Sequence, residues 1–227
     1  MRIWVNGGLL TAEAARVSVF DHGLTVGDGI FETVKAVQGR PFALTRHLGR
    51  LARSARGLGL AEPDLDEIRH ACTAVLDANP MELGRLRITY TGGLSPLGSD
   101  RGDEGPTLVV AVGATKRRPD TTAVITVPWT RNERGAVTGL KTTSYAENVV
   151  ALARAHEQGA GDTGETAGGE GRRVQFAVEY DEDIGAGALA ERPDGVGEER
   201  LGGALFVRAG ERDDILGVRG GLEPGHR

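Results

Sequence analysis

The chain has 227 residues, a formal net charge of -5 and a sequence pI of about 5.6. That length can bury a sizeable core and favours two small domains, while the acidic balance argues against nucleic acid as a partner and favours a small molecule or a protein. The chain has no run of about 20 apolar residues to cross a membrane, no apolar leader and a single cysteine, Cys72, so we expect a soluble, cytoplasmic protein without disulfides and with Cys72 buried.

The first 60 residues are predicted to form a series of β-hairpins. Short β-branched or aromatic runs alternate with turn residues, in the order RIWVN, a turn at residues 6–8, VSVF, IFETVKAV, a turn at residues 38–40, and PFAL. Turn residues between such runs are a good hairpin signal.

Two helices and then two strands are predicted next. HLGRLARSARGLGL has an apolar face and is expected to end at Gly57 and Gly59. In DLDEIRHACTAVLDANP the apolar residues recur at helical spacing, at Ile68, Ala71, Cys72, Val75 and Leu76. The strands GRLRITYTGG and PTLVVAVGA follow, joined by the loop LSPLGSDRGDEG. Strands with helices collected on one side predict an α+β fold.

The charged, proline-containing stretch at residues 116–121 is predicted to link two domains, at residues 1–115 and 122–227. The second domain opens with the strand TAVITVPW. Ser144 and Glu147 are spaced as a capping box for a helix that runs to about Gln158. Beyond that helix 17 of the remaining 69 residues are glycine. There VQFAVEY and ALFVRAG are strand candidates, and the other residues are typical of loops or disorder.

Lys141 is the candidate catalytic residue. Only three of the 27 basic residues are lysines, and this one stands in an extended segment just before a capped helix. A lysine used for covalent chemistry must lose its proton near neutral pH and must be held by a rigid backbone. A solvated surface lysine is the alternative. Residues 135–142 also resemble a phosphate-binding loop, but Leu140 stands where that loop needs glycine.

Two further stretches carry polar groups suited to a site. FDHGLTVGDGIFET is a tight polar loop before a buried strand, with Asp21, His22 and Asp28 between its glycines. Arg50, near the start of a helix, could grip a phosphate with two parallel hydrogen bonds, or could form a surface ion pair.

Four motifs together resemble a known family. In order they are DHGLTVGDGIFETV, PFALTRHLGRLARSA, GRLRITYTGG and GLKTTSYAENVVALARA. Over residues 1–160 they resemble the class IV aminotransferases, the two-domain fold-type IV pyridoxal phosphate enzymes, and within these most closely the aminodeoxychorismate lyases. The resemblance implies pyridoxal 5'-phosphate as cofactor, a small-molecule amino substrate, no metal, and a homodimer in which the neighbouring chain completes the active site.

The resemblance also implies roles for individual residues. Lys141 matches the lysine that forms a Schiff base with the cofactor and then moves a proton. Arg50 matches the arginine that binds the cofactor phosphate, and Tyr145 matches a tyrosine beside the phenolic oxygen of the ring. The residues expected to face the substrate are Phe31, Arg87 and Arg101.

The resemblance weakens after about residue 160. A glutamate that contacts the pyridine nitrogen, within a stretch such as EGTGSNVF, is expected there. Glu170 is the candidate, but it comes earlier than expected and EGRRVQF lacks the small residues. The later phosphate-binding loops are missing as well, so we expect the second domain to be incomplete or altered. Codons for EGAGSN read two bases out of frame encode GRRVQ, which makes a frameshift one explanation and natural divergence the other.

The sequence therefore leaves three functional hypotheses. One is a lyase of folate biosynthesis that converts 4-amino-4-deoxychorismate to 4-aminobenzoate and pyruvate. Another is an amino-acid transaminase of the same family. The third is a catalytically inactive, truncated or frameshifted remnant of such an enzyme.

Overall fold

The computed structural model describes residues 1–117, 121–123, 125, 127, 129, 132, 134–158 and 206–208. The chain divides into two compact units. The first contains Met1–Arg117 and Arg131–Ala146, and the second contains Arg118–Thr130 and Glu147–Arg227. The chain first leaves the first unit within the predicted linker at residues 116–121. Residues 131–146, which the sequence assigned to the second domain, belong to the first unit. Lys141 therefore lies in the first unit.

The first unit is built on a six-stranded sheet. Its strands are β1 (Arg2–Val5), β2 (Gly8–Thr11), β3 (Gly29–Val37), β4 (Arg40–Pro41), β5 (Leu83–Thr91) and β6 (Thr107–Ala114). They lie in the order β2-β1-β6-β5-β3-β4, and each neighbouring pair is antiparallel. The two long strands β3 and β5 pair from Gly29 opposite Thr91 to Val37 opposite Leu83. This register places Phe31 and Thr33 beside Thr89 and Arg87.

Two helices supply the rest of the core of the first unit, namely α2 (Leu44–Leu58) and α3 (Leu65–Ala78). Helix α2 ends at Gly59, whose φ of 70° is a left-handed conformation that favours glycine. Helix α3 begins after Asp64, whose carboxylate accepts hydrogen bonds from the next free amides. All five apolar residues predicted for α3 are buried, and burial raises the pKa of the Cys72 thiol to about 12.

The alternation of side chains along β3 and β5 separates the core from a second sheet face. Ile30 and Val34 of β3 and Ile88 of β5 pack with the two helices in the main apolar cluster. Because successive side chains point to opposite faces of a sheet, Phe31 and Arg87 lie on the face turned away from that cluster.

One predicted strand of the N-terminal region was wrong. VSVF, at residues 17–20, is not a strand, and its apolar side chains are exposed. The strand that pairs with β1 is instead GLLT, the β2 segment. Asn6 and Gly7 both have positive φ, at 43° and 84°, as in a type I′ turn. Such a turn reverses the chain within two residues, so the partner strand has to follow at once.

Two neighbouring predictions also needed correction. PFAL contributes only Pro41 to a strand, because α2 already begins at Leu44. A short helix, α1 (His22–Thr25), which the sequence did not indicate, follows Asp21, and the Asp21 carboxylate accepts a hydrogen bond from the Gly23 amide. The polar loop before β3 is therefore a helical turn held at its start by an acid.

In the second unit, β7 (Thr121–Ala123) pairs antiparallel with β8 (Phe206–Arg208). Helix α4 spans Ala146–Glu157, close to the predicted end at Gln158. Ile125, Val127, Ala151 and Ala155 form a small apolar cluster. The strand β8 lies within the predicted strand ALFVRAG, whereas VQFAVEY and Glu170 fall outside the described residues. No helix in the described part of the chain is long and apolar enough to span a membrane.

Candidate active site

Lys141 lies in an extended segment that is hydrogen-bonded on two sides. Its carbonyl accepts from the Phe31 amide at 3.1 Å, and the Thr143 amide donates to the Gly29 carbonyl at 2.8 Å. The Lys141 amide in turn donates to the Ser54 hydroxyl of α2 at 3.1 Å. The segment thus pairs with the edge of β3 and is also hydrogen-bonded to helix α2. This backbone gives the lysine the rigid attachment that covalent chemistry requires.

The Phe31 ring is the centre around which three other predicted site residues gather. It is fully buried. The guanidinium carbon of Arg87 lies 3.3 Å from the ring centroid, and the Lys141 ammonium nitrogen lies 4.3 Å from it. The Tyr145 ring meets Phe31 edge to face, with 5.0 Å between centroids. Residues from three separate parts of the sequence therefore form one group, which we call the Phe31 cluster. In it two cations lie against aromatic rings.

Arg50 is fixed by a buried carboxylate. Its Nε and Nη2 donate to the two oxygens of Glu32 at 2.7 and 2.6 Å, and His47 Nδ1 lies 2.8 Å from the same carboxylate. Glu32 is fully buried in β3. Burial by itself raises the pKa of Glu32, but the hydrogen bonds from Arg50 and His47 outweigh it and lower that pKa. The ion pair considered for Arg50 is thus made with a buried carboxylate, while the Arg50 side chain itself stays 19% exposed.

Arg101 has a different set of partners. Its Nε and Nη2 donate to the two oxygens of Asp28, each at 2.7 Å. The same guanidinium donates to the carbonyls of Leu58 and Gly59 at the end of α2. Arg101 lies in the loop between β5 and β6, and these contacts connect that loop to the end of α2. Its predicted contact with a substrate carboxylate stays a prediction.

The sequence did not single out Glu32, His47 or Ser54 as site residues. One signal was available, because Glu32 is an acid at a core-facing position of an otherwise apolar strand, and a buried acid needs partners. A second was the spacing of His47, Arg50 and Ser54, which places them along one side of a helix. Neither signal identifies which strand faces which helix.

Lys141 and Arg50 together offer donor groups that fit pyridoxal phosphate. An aldehyde requires an amine, and Lys141 offers one that is half-buried beside two aromatic rings. A phosphate requires a rigid cation, which Arg50 provides with its orientation set by Glu32. Glu170, the predicted partner of the pyridine nitrogen, lies outside the described residues.

Solved structures with this fold define the class of protein. A fold IV transaminase from Curtobacterium pusillum superimposes with a TM-score of 0.60 and 29% identity, over 70% of this chain and 61% of that chain. A hypothetical aminotransferase from Mycobacterium tuberculosis, solved in a pyridoxal phosphate-bound form, superimposes with a TM-score of 0.60 and 29% identity, over 71% of this chain and 60% of that one. The chain therefore has the α+β fold of the fold-type IV enzymes.

The family follows from the sequence match. Residues 29–163 match the family model described as Amino-transferase class IV, and the chain belongs to that family. The resemblance of the four motifs is thereby confirmed.

Curated relatives show the range of activities in the family. The bifunctional aminodeoxychorismate lyase / D-amino acid transaminase of Mycobacterium tuberculosis is 31% identical over 71% of this chain and 59% of its own length. A D-alanine aminotransferase of Staphylococcus aureus is 33% identical over 41% of this chain and 34% of its own length. The match thus spans between about a third and three fifths of these relatives.

Proposed function

We propose that this chain binds pyridoxal phosphate through Lys141 and acts on the amino group of a small molecule. The reaction is either the conversion of 4-amino-4-deoxychorismate to 4-aminobenzoate and pyruvate or a transamination of amino acids. The main support is the position of Lys141, which is held by backbone bonds to β3 and α2 beside Phe31, Tyr145 and Arg87. The M. tuberculosis relative is named for both activities, which supports either reaction as the proposal for this chain.

Arg50 and the residues around Phe31 would each have a distinct task. When bound, pyridoxal phosphate supplies an electron-withdrawing ring that stabilises negative charge at the substrate α-carbon. Lys141 would hold the cofactor through its aldehyde carbon, and its side-chain amine would take the proton from the substrate α-carbon. Arg50 binds the phosphate, and Arg87 offers its guanidinium to a substrate carboxylate. Phe31 and Tyr145 orient the amine and exclude water from it.

Labelling of Lys141 tests this proposal. Purified protein mixed with pyridoxal phosphate, reduced with borohydride and mapped by mass spectrometry is expected to carry the label on Lys141. The Lys141→Ala variant is expected to lose this label, whereas Lys35→Ala and Lys116→Ala keep it. Equal labelling of all three lysines, or none, would favour the inactive remnant instead.

The two activities can then be separated with substrates. Release of 4-aminobenzoate and pyruvate from 4-amino-4-deoxychorismate identifies the lyase. Exchange of an amino group between a D- or L-amino acid and 2-oxoglutarate identifies the transaminase. A chain that is labelled on Lys141 but supports neither reaction would be a cofactor-binding remnant.

We also propose that a second copy of the chain covers an apolar patch on the first unit. Residues 17–26 and 94–97 lie together, since the Ser95 amide donates to the Phe20 carbonyl at 3.1 Å and Leu94 bridges Asp21. Several of their apolar side chains are exposed, with Val19 at 70%, Leu24 at 68% and Leu97 at 75%. Such patches are typical of protein interfaces, and a homodimer is what the family resemblance implies.

The mass in solution tests the homodimer. Light scattering is expected to give twice the chain mass of 23.9 kDa. Replacing both Leu24 and Leu97 by lysine is expected to halve that mass, because each charge would be buried against its copy. Val37→Lys, at another exposed apolar site, is the matched control. A monomeric wild-type protein, or a double variant that stays dimeric, would contradict the proposed interface.

A further inference from the structure

Three charged side chains outside the Phe31 cluster form what we call the His22 clasp, namely His22, Asp28 and Arg101. The His22 ring is buried and bonded at both nitrogens, by Nδ1 to Asp28 at 2.8 Å and by Nε2 to the Gly98 carbonyl at 3.0 Å. Arg101 donates two hydrogen bonds to the same Asp28 carboxylate. The clasp therefore connects the loop at residues 94–102 to the segment before β3. Gly98 is bonded to His22, and Arg101 is bonded to Asp28.

The same turn of chain that carries Asp28 also holds the lysine segment. The hydroxyls of Thr143 and Ser144 donate to the Gly27 carbonyl at 2.9 and 3.2 Å. The Thr143 amide donates to the Gly29 carbonyl at 2.8 Å. Asp28 thus stands between two residues that fix the backbone next to Lys141 and Tyr145. Ser144, the residue predicted to cap the helix, makes this contact, and α4 begins two residues after it.

Packing at this turn leaves little room for movement. A Cβ added at Gly27 would lie 2.6 Å from the Ser144 hydroxyl oxygen, and one added at Gly29 would lie 3.0 Å from the Thr143 hydroxyl oxygen. Close-packed backbone transmits a displacement to its neighbours. A shift of Asp28 would therefore move Thr143 and Ser144.

We propose that His22, Asp28 and Arg101 are positioning residues that hold the turn at residues 27–29 against the lysine segment and so orient Lys141 and Tyr145. The consequence for cofactor chemistry rests on the proposed function. The mechanical link between the clasp and the lysine segment does not.

The hydrogen bonds require a doubly protonated His22. The Gly98 carbonyl and the ionised Asp28 carboxylate are both acceptors, so both ring nitrogens must donate. The bond to Gly98 and then the bond to Asp28 raise the pKa of His22, against burial and the charge of Arg101. The hydrogen bonds from Arg101 are the main reason that the pKa of Asp28 is lowered. Asp21, the neighbouring acid, is turned toward the Gly23 amide and the Thr91 hydroxyl.

The sign of the pH dependence follows from the raised pKa of His22. A group whose pKa is higher in the folded state stabilises that state at low pH and ceases to do so as the pH rises through the folded-state pKa. Neutral His22 would turn a lone pair toward either Gly98 or Asp28, and one contact of the clasp would be lost. The clasp is therefore closed while His22 is charged and Asp28 ionised, and it weakens toward alkaline pH.

Amide hydrogen exchange on the full chain without cofactor tests the link. Protection factors, which remove the intrinsic pH dependence of exchange, are measured by NMR from about pH 5 to about pH 9, a range that spans the ordinary histidine pKa. Protection of the Thr143 amide is expected to fall about tenfold as His22 titrates, the equivalent of one lost charge-assisted hydrogen bond. The amide of Cys72 in α3 serves as internal reference and keeps its protection.

Variants separate positioning from general stabilisation. Arg101→Lys keeps the charge but cannot bond both Asp28 oxygens and two carbonyls, so it is expected to lower Thr143 protection about tenfold. His22→Gln is expected to remove the pH dependence. Arg53→Lys, at an exposed position of α2, is the matched control and should change neither. Protection lost equally at Thr143 and Cys72 would indicate overall destabilisation and would overturn the positioning role.

Cofactor labelling distinguishes failure of this inference from failure of the proposed function. Arg101→Lys is expected to slow the labelling of Lys141 by pyridoxal phosphate and borohydride several-fold. If wild-type Lys141 is not labelled, the proposed function fails while the exchange profile still tests the clasp. If wild-type Lys141 is labelled but Thr143 protection is independent of pH, the positioning role fails alone. The exchange profile is measured on the wild-type protein, so this test does not depend on whether any variant folds.

Discussion

The Arg50→Ala variant is expected to lose about 3–5 kcal/mol of unfolding free energy at neutral pH, the usual cost of leaving one partner of a buried ion pair without the other. Glu32 is fully buried, and Arg50, with 19% of its side chain exposed, donates to both of its carboxylate oxygens. Removing Arg50 leaves His47 to compensate the carboxylate. Urea unfolding monitored by circular dichroism measures the loss.

The pH dependence of this loss identifies its cause. The paired Glu32 has a lowered pKa, so its contribution to stability is present above the unfolded-state pKa and is lost as the pH falls through the folded-state value. In Arg50→Ala, protonation of Glu32 relieves the uncompensated charge. Without the Arg50 hydrogen bonds, burial leaves Glu32 with a higher pKa in the variant than in wild type. The difference in stability should therefore shrink as the pH falls from the variant pKa of Glu32 to its lowered wild-type pKa. A difference that stays constant with pH would contradict this account.

Two other substitutions calibrate the Arg50 result. Arg53→Ala removes an exposed arginine one turn further along α2 and is expected to change stability by no more than about 0.5 kcal/mol. Arg50→Lys keeps the charge but not the two-pronged geometry and is expected to fall between wild type and Arg50→Ala. Arg50→Ala should also weaken pyridoxal phosphate binding if the proposed function holds.

The Phe31→Ala variant is expected to lose about 3–5 kcal/mol of unfolding free energy, as for other fully buried phenylalanines. The ring is inaccessible to solvent and is contacted by Arg87, Lys141 and Tyr145. Its removal leaves a cavity beside the lysine and takes away the surface on which two cations lie. Denaturant unfolding measures the stability, and borohydride labelling reports whether Lys141 is still selected.

Phe31→Leu separates the volume of the ring from its π face. It refills most of the space, removes the π face, and is expected to cost less than Phe31→Ala. A double-mutant cycle with Arg87→Met isolates the cation–π contact, for which a coupling of about 0.5–2 kcal/mol is expected. A Phe31→Ala loss below about 1 kcal/mol would show that the site collapses and that the ring is not its support.

The elements that the sequence predicted well are those whose information is local. The α3 helix carries an acid at its start and apolar residues at helical spacing, and each of these residues is buried as expected. The prediction failed at VSVF because alternating apolar residues also occur on an exposed surface, and only the positive φ of Asn6 and Gly7 decides that β2 follows directly. Two local signals competed there, and the turn was the stronger.

Motif resemblance proposed the individual site residues, but it could not predict how they are arranged in space. Nothing local to Phe31, Arg87, Lys141 or Tyr145 indicates that they meet. Their meeting depends on the register of β3 against β5 and on the pairing of the lysine segment with the free edge of β3. The bonding of Arg101 to the carboxylate of Asp28 was likewise not indicated by the sequence, and its contact with a substrate carboxylate stays a prediction.

By itself, the sequence determined the family and the α+β class, because four motifs resemble those of the family in its order along the chain, and it made Lys141 the candidate for covalent chemistry. Only the tertiary structure decided that Glu32 orients Arg50, that Phe31 carries Arg87 and Lys141, and that Asp28 links His22 and Arg101 to the lysine segment. Apart from His22 and Asp28, which are six residues apart, these contacts join residues distant in sequence. A carboxylate shows no local preference for one distant cation over another, and strand register and helix packing make the choice.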